Sequence, residues 1–590
     1  MFNKYFSTIK SVITARLFLY SLLSVLMLSG PVACIKDRAL PEGPPINANI
    51  ALDKQSANLM IGDVTDIAIQ ADNGKSYVKA FDYSSSDPRI ASVERKSAYV
   101  VTVTAKRKGT ATIQFVAKDG ETLKATINVD EPAPDGTIRI LAIGNSFSED
   151  AIETYLYPIA AAGGDSIVIG NLYIGGASLE DHLNNAKENK AVYSFRKINK
   201  QGVKSTRDNI SIEQALDEER WDFISFQQAS PLSGQYATYE ASLPALVQYV
   251  KDRVTYSRTK YVWHQTWAYQ QNSTYPPFAN YNSNQLTMYN AIMDASQKAA
   301  TLMGADIVVP SGTAIQNGRS SFWGDNFCRD GYHLDLNLGR YLAACTWYEA
   351  LFNKNVVGNS YNPFSYLLSA EERALAQQAA HEAVLKKYAV TDLTAFKQFP
   401  APDLAAPVFL DVAQQVPAFG WNGLSSRDAG ANIVYLRNKE GKVTPAGLTL
   451  TEGFNNMNAN GELNTTTSFD MPNSVSQNSY FGNTKQNFDR GLFLKSVLKI
   501  SRLNPAKMYN LCFFGSRGGT AETRQTKYIS KGQNEVSASL NTGSNKSNIA
   551  CTDGIKPDAD GNIFVTITAG DANDSPVGFY YLNAMRIQQQ

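Results

Sequence analysis

The stretch IRILAIGNSFSED, Ile138 to Asp150, runs largely apolar for six residues and then turns into Gly144, Asn145 and Ser146. A short apolar run closed by a glycine reads as a buried strand. Downstream, SIVIGNLY at 166–173, WDFISFQ from 221, KYVWH from 260 and DIVV from 306 repeat the apolar pattern, and amphipathic segments such as 283–303 lie between them. Strand and helix alternating in this way predict a doubly wound α/β domain, whose parallel sheet carries helices on both faces and takes ligands at the carboxyl ends of its strands. GNS stands at such an end. Gly144 allows a tight exit, Ser146 is offered at the sheet edge, and Ser148, Glu149 and Asp150 are expected to start a helix. That helix would turn Ile152, Leu156, Ile159 and Ala160 inward and kink at Pro158.

On both sides of this domain the pattern changes to strands alone. Residues 50–131 contain alternating runs such as YVVTVTA and ATIQFVA with no helical period, which predicts a β-sandwich. The phrases SSSDPRIASVE and VTAKRKGTATIQFVAKDG resemble the bacterial immunoglobulin-like domains of group 2, which implies a spacer or an adhesion module. After APDLAAP, residues 407–590 are rich in strands and turns, as in KMYNLCFFGSR, NIFVTITAG and GFYYLNAMRI. They predict a second, jelly-roll-like sandwich. Its pattern is similar to the accessory sandwiches that follow carbohydrate-active enzymes, with a sugar-binding role and a structural role both open.

The N-terminus reads as an export signal over residues 1–33: Lys4, Lys10 and Arg16 precede the apolar run Leu17 to Leu28, too short to span a bilayer comfortably. GPVAC resembles the lipobox of bacterial lipoproteins, with Pro31 where that motif usually has Leu. The resemblance implies a lipid on Cys34, a linker over 34–49, and a place in the outer membrane or on the cell surface, with a periplasm-facing anchor as the alternative. Plain secretion with cleavage near Ala33 is the alternative. Lys and Arg total 55 against 54 Asp and Glu, and no basic run suits nucleic acid or an anionic membrane surface. Cys328, Cys345, Cys512 and Cys551 form two disulfides or remain four thiols; no C-x-x-C or Cys/His spacing for zinc occurs, so no metal is expected.

A serine hydroxyl becomes a nucleophile when a histidine takes its proton and a carboxylate orients that histidine. The chain has only His182, His264, His333 and His381. His333 follows Asp330 by three residues in RDGYHLDLNLGRYLAA, a spacing that lets the two side chains meet on one turn. His264 reads as a structural histidine; His182 and His381 read as bystanders. The G-x-S-x-G pattern of other serine hydrolases fails, because position 148 is Ser.

GNS after the first strand, a glycine loop after the second and D-x-x-H near the end together resemble the SGNH (GDSL-like) hydrolases, with a flavodoxin-like central fold, over residues 137–394. The similarity is greatest to a group of Bacteroidetes proteins with a domain of unknown function, marked by GNSFSED and DGYHL. It implies Ser146 as nucleophile, His333 as general base and acid, and Asp330 as the partner of His333. The oxyanion hole would comprise the N–H of Ser146, Gly176 in GGAS, and a side-chain amide. The family's G-x-N-D is missing, so that amide is assigned to Gln228, with Gln227 as the alternate. Trp263, Trp267 and Trp323 are expected on rim loops, where aromatic faces suit a sugar ring. The resulting expectation is an exported serine esterase that removes acetyl groups from a polysaccharide or oligosaccharide through an acyl-enzyme, without a cofactor. A lipase or arylesterase on the same triad, and a non-catalytic surface glycan-binding or adhesion protein, are the other readings. His333 must be neutral to act, so activity should fall as pH drops through roughly 6 to 7.

Overall fold

The apolar run folds as the strand Thr137–Gly144, and its residues alternate between two cores. Ile140 and Ala142 face one; Leu141 and Ile143 face the other. A strand buried on both faces belongs in the middle of a sheet. In the computed structural model, which describes residues 49–71, 80–363, 368–412 and 417–590, this strand is central in a seven-stranded sheet. The expected signal peptide and Cys34 lie outside the described residues.

Five strands of that sheet are parallel: Ser166–Tyr173, Thr137–Gly144, Phe223–Phe226, Lys260–His264 and Ile307–Val309, in that spatial order. Tyr193–Ile198 and Lys204–Ile210 extend it as an antiparallel pair beyond Ser166–Tyr173. The chain therefore proceeds in opposite directions from its first strand, which opens a crevice at that strand's carboxyl end. Helices Leu338–Phe352 and Ala370–Leu385 cover the face of Ile140; Leu179–Lys187 and Leu243–Arg253 cover the face of Leu141.

The helix after the first strand differs from expectation at both ends. It starts at Ser146 rather than Ser148, because Asn145 is extended and its side chain caps the N–H of Phe147. Ser148 is buried instead, with its hydroxyl within 2.8 Å of Asn171 Oδ1. A Cβ on Gly144 would stand 2.5 Å from that hydroxyl, so glycine is needed here for space. The kink expected at Pro158 is a break. Helices Ser146–Ile152 and Leu156–Ala162 are separate, and Pro158 falls in the first turn of the second, where its missing N–H leaves no bond unmade.

The described residues up to 133 form one compact unit and those from 134 onward another. In the first, two four-stranded sheets enclose Ile67, Val103, Ile113, Phe115 and Ile127. In the second, five- and six-stranded sheets beyond Val408 close on a core that includes Leu410, Leu498, Phe513, Val565 and Ile587. Cys512 and Cys551 pair across neighbouring strands as a disulfide, while Cys328 and Cys345 remain thiols. The C-terminal sheets are tied to the α/β domain by Arg437, which grips Glu372 at 2.6 and 2.7 Å, and by Tyr435, whose ring meets Trp323 edge-on.

Candidate active site

Ser146 stands at the mouth of the crevice, at the first position of its helix, where the backbone N–H has no intrahelical partner. Its Oγ lies 2.9 Å from His333 Nε2. On the other side of the ring, Nδ1 lies 2.6 Å from Asp330 Oδ2. A carboxylate only accepts, so Nδ1 carries the hydrogen and Nε2 presents a lone pair to the serine hydroxyl. Residues 187 positions apart are thereby joined in one relay.

The turn that carries the histidine is held from several sides. Asp330 Oδ1 accepts the N–H of His333 and of Tyr332. Burial raises the Asp330 carboxyl, but the His333 ring and these two N–H groups outweigh it and hold it below the ordinary range. Gly331 has φ +89°, and a Cβ there would strike Ser273. Gln270 N–H and Trp267 Nε1 bond the carbonyls of Gly331 and Tyr332.

Asp150, one helical turn after Ser146 and read from the sequence only as part of a helix start, anchors the same loop. Fully buried, it accepts the N–H of Leu334 at 2.8 Å and pairs with Arg340 and Arg329. Burial pushes its carboxyl up, against the two guanidinium groups. The i, i+4 spacing was the available signal, since it puts Ser146 and Asp150 on one face.

The amide assigned to the oxyanion hole is corrected. Gln228 is buried; its Oε1 accepts the N–H of Leu179 and Ala229, and its Nε2 bonds Thr238. Gln227 is also committed. Asn145 Oδ1 accepts the N–H of Phe147, so the Gln227 amide donates to it, and Gln227 Oε1 in turn accepts Nδ1–H of His264. His264 Nε2 then accepts from Ser311. The helix cap sets the polarity of the whole chain of bonds. Gly176 has φ +71° on an exposed loop beside the site, with open space where a Cβ would be.

Two of the three tryptophans are corrected as well. Trp263 and Trp267 are buried; Trp263 packs on Tyr239, and Trp267 stacks on Phe147 at 4.3 Å. Their large apolar area places them in the core. Trp323 is mostly buried but lines a cleft beside Asp330. His182 and His381 bond Tyr193 and Glu349, away from the relay.

Residues 139–383 match the family described as Domain of unknown function (DUF4886), and residues 62–127 match the bacterial Ig-like domain (group 2). A crystal structure of a DUF4886 family protein from Bacteroides uniformis is 51% identical, covering 44% of this chain and 100% of that one, with a TM-score of 0.43. An acetyl xylan esterase from Geobacillus stearothermophilus is 13% identical, covering 38% of this chain and 96% of that one at a TM-score of 0.25. Domains 4 and 5 of the S-layer protein SbsC are 20% identical, covering 14% of this chain and 50% of that one at a TM-score of 0.13. No curated protein matches the chain.

Proposed function

The chain belongs to the DUF4886 family, and from that premise we propose that its middle domain is a serine esterase of SGNH type acting on O-acetylated glycans. The observation that carries the reading is the unbroken relay from Asp330 through His333 to Ser146. In this mechanism His333 takes the serine proton as Oγ attacks the ester carbonyl, and Asp330 steadies the imidazolium that results. The tetrahedral oxyanion is met by the N–H groups of Ser146 and Gly176. Collapse expels the alcohol, protonated by His333, and leaves an acyl-serine. Water, activated by the same histidine, then releases the acid. The glycan as substrate rests on domain company: the expected export signal, an Ig-like domain and a C-terminal sandwich suit a surface polysaccharide better than a dispersed lipid.

The test is the full chain beside Ser146→Ala on p-nitrophenyl acetate and on acetylated oligosaccharides. Removal of the nucleophile should lower kcat by about a thousandfold or more. Equal, background rates in the two proteins would overturn the esterase reading. Faster turnover of long-chain than of acetyl esters would replace the glycan with a lipid.

A further inference from the structure

A cleft of about 720 Å³ separates the loop that carries Asp330 from the C-terminal sandwich. One wall is Gln270, Trp323 and the Arg329–Gly331 turn; the other includes Asn432, Tyr435 and Thr449. We propose that this cleft is a binding subsite for an uncharged oligosaccharide, built jointly by the catalytic loop and the sandwich. The proposal rests on the esterase reading for its substrate class, and it gives the sandwich a share in the substrate site.

The charges of the cleft argue for a neutral ligand. Its acidic and basic side chains are Arg329, Arg437 and Arg502 against Asp330, Asp335 and Glu372, three of each sign. All six are engaged within the protein. Arg329 pairs with Asp150, Asp330 with His333, and Arg437 with Glu372. Asp335 accepts the N–H groups of Asn337, Leu338 and Gly339, and Arg502 donates to the carbonyls of Pro445 and Val434. Arg329 and Arg437 are thus ion-paired, and Asp330, Asp335 and Arg502 are satisfied by hydrogen bonds. The charges of the wall sum to zero, so the cleft carries no net charge to draw an ion, and a sugar hydroxyl asks for none.

Gln270 supplies the second observation. It is only 9% exposed, yet its Oε1 has no hydrogen-bond partner among the described residues. A buried acceptor left unmet is costly unless something supplies a donor. Gln270 lines the cleft, so a rotation of its amide towards the cleft would let a sugar hydroxyl supply that donor, and Trp323 with Tyr435 adds aromatic surface for the ring. Placement also fits the chemistry. The Gln270 N–H is bonded to Gly331, next to Asp330, so a chain held in the cleft lies beside the Asp330 end of the relay.

Calorimetry on the full chain with deacetylated xylo- and manno-oligosaccharides reads binding apart from turnover. Binding by the wild type and by Ser146→Ala, weakened about tenfold or more by Asn432→Trp, which fills the cleft from the sandwich side, is the expected result. Affinity should be nearly independent of salt, because no charge is matched. Gln270→Ala should raise Kd, and the ratio of kcat/KM on acetylated oligosaccharide to that on p-nitrophenyl acetate should fall in both cleft variants. No binding by the wild type, or equal binding by Asn432→Trp, would overturn the subsite. So would preferential, salt-sensitive binding of oligogalacturonate. Because Ser146→Ala is assayed separately for turnover, loss of the esterase reading shows there and leaves the binding result to be judged by itself.

Discussion

Asp330 uses one carboxylate twice: Oδ1 fixes the turn through two backbone N–H groups, and Oδ2 fixes the tautomer of His333. Asparagine retains much of the shape but can offer an N–H where the ring needs an acceptor. Asp330→Asn is therefore expected to lower kcat by about 10² to 10⁴ with little change in KM for a small ester. A variant with wild-type kcat would remove Asp330 from the relay. The contact of Asp330 with His333 was legible in the sequence from the D-x-x-H spacing, whereas Ser146 was joined to them only by its place at a strand end and by the family resemblance. What Asp150 and Gln228 do was not legible. Their roles depend on which backbone groups the fold brings to them, and a carboxylate or an amide in a sequence gives no sign of its partner.

At the scale of elements, the chain of bonds from Asn145 through Gln227 and His264 to Ser311 links the start of the Ser146 helix to three neighbouring segments. Burial lowers the His264 ring to about 3, whereas an unfolded chain binds that proton at about 6.5. The neutral ring's contribution is thus complete above about 6.5 and declines as pH falls towards 3. Urea midpoints measured from pH 7 down to pH 4 should fall, and His264→Gln should flatten the profile by up to about 1.4 kcal/mol per pH unit. Parallel profiles would mean that the ring is not held neutral. The alternation of strands with helices, and helices on both faces of the sheet, follow from apolar periodicity, while the strand order does not. The helix start does not, because Asn145, Ser146 and Ser148 are all good caps and only Asn145 reaches the open N–H.

For the whole molecule, the C-terminal sandwich is part of the same compact unit as the α/β domain, joined through Arg437–Glu372 and Tyr435–Trp323. Its disulfide closes a separation of 39 residues between adjacent strands. In the chain-entropy picture such a loop is worth about 4 kcal/mol. A double Cys512→Ala, Cys551→Ala variant should unfold at lower denaturant in this region, by about 2–4 kcal/mol, in oxidising buffer. An unchanged midpoint would show that the sheet pairing alone suffices.

The sequence by itself determined the strand-only segments on either side of an α/β segment, the parallel sheet with Ser146 at its carboxyl edge, and the D-x-x-H spacing that brings Asp330 to His333. These depend on periodicity, turn chemistry and local spacing, which a chain carries whether or not it is folded. Only the tertiary structure decided that both glutamines are braces, that Trp263 and Trp267 are core, and that Asp150 anchors the histidine's loop. It also decided that the sandwich faces Asp330 across a polar cleft. Each of these is a contact between distant segments, and a side chain with several possible partners acquires one only when packing has removed the rest.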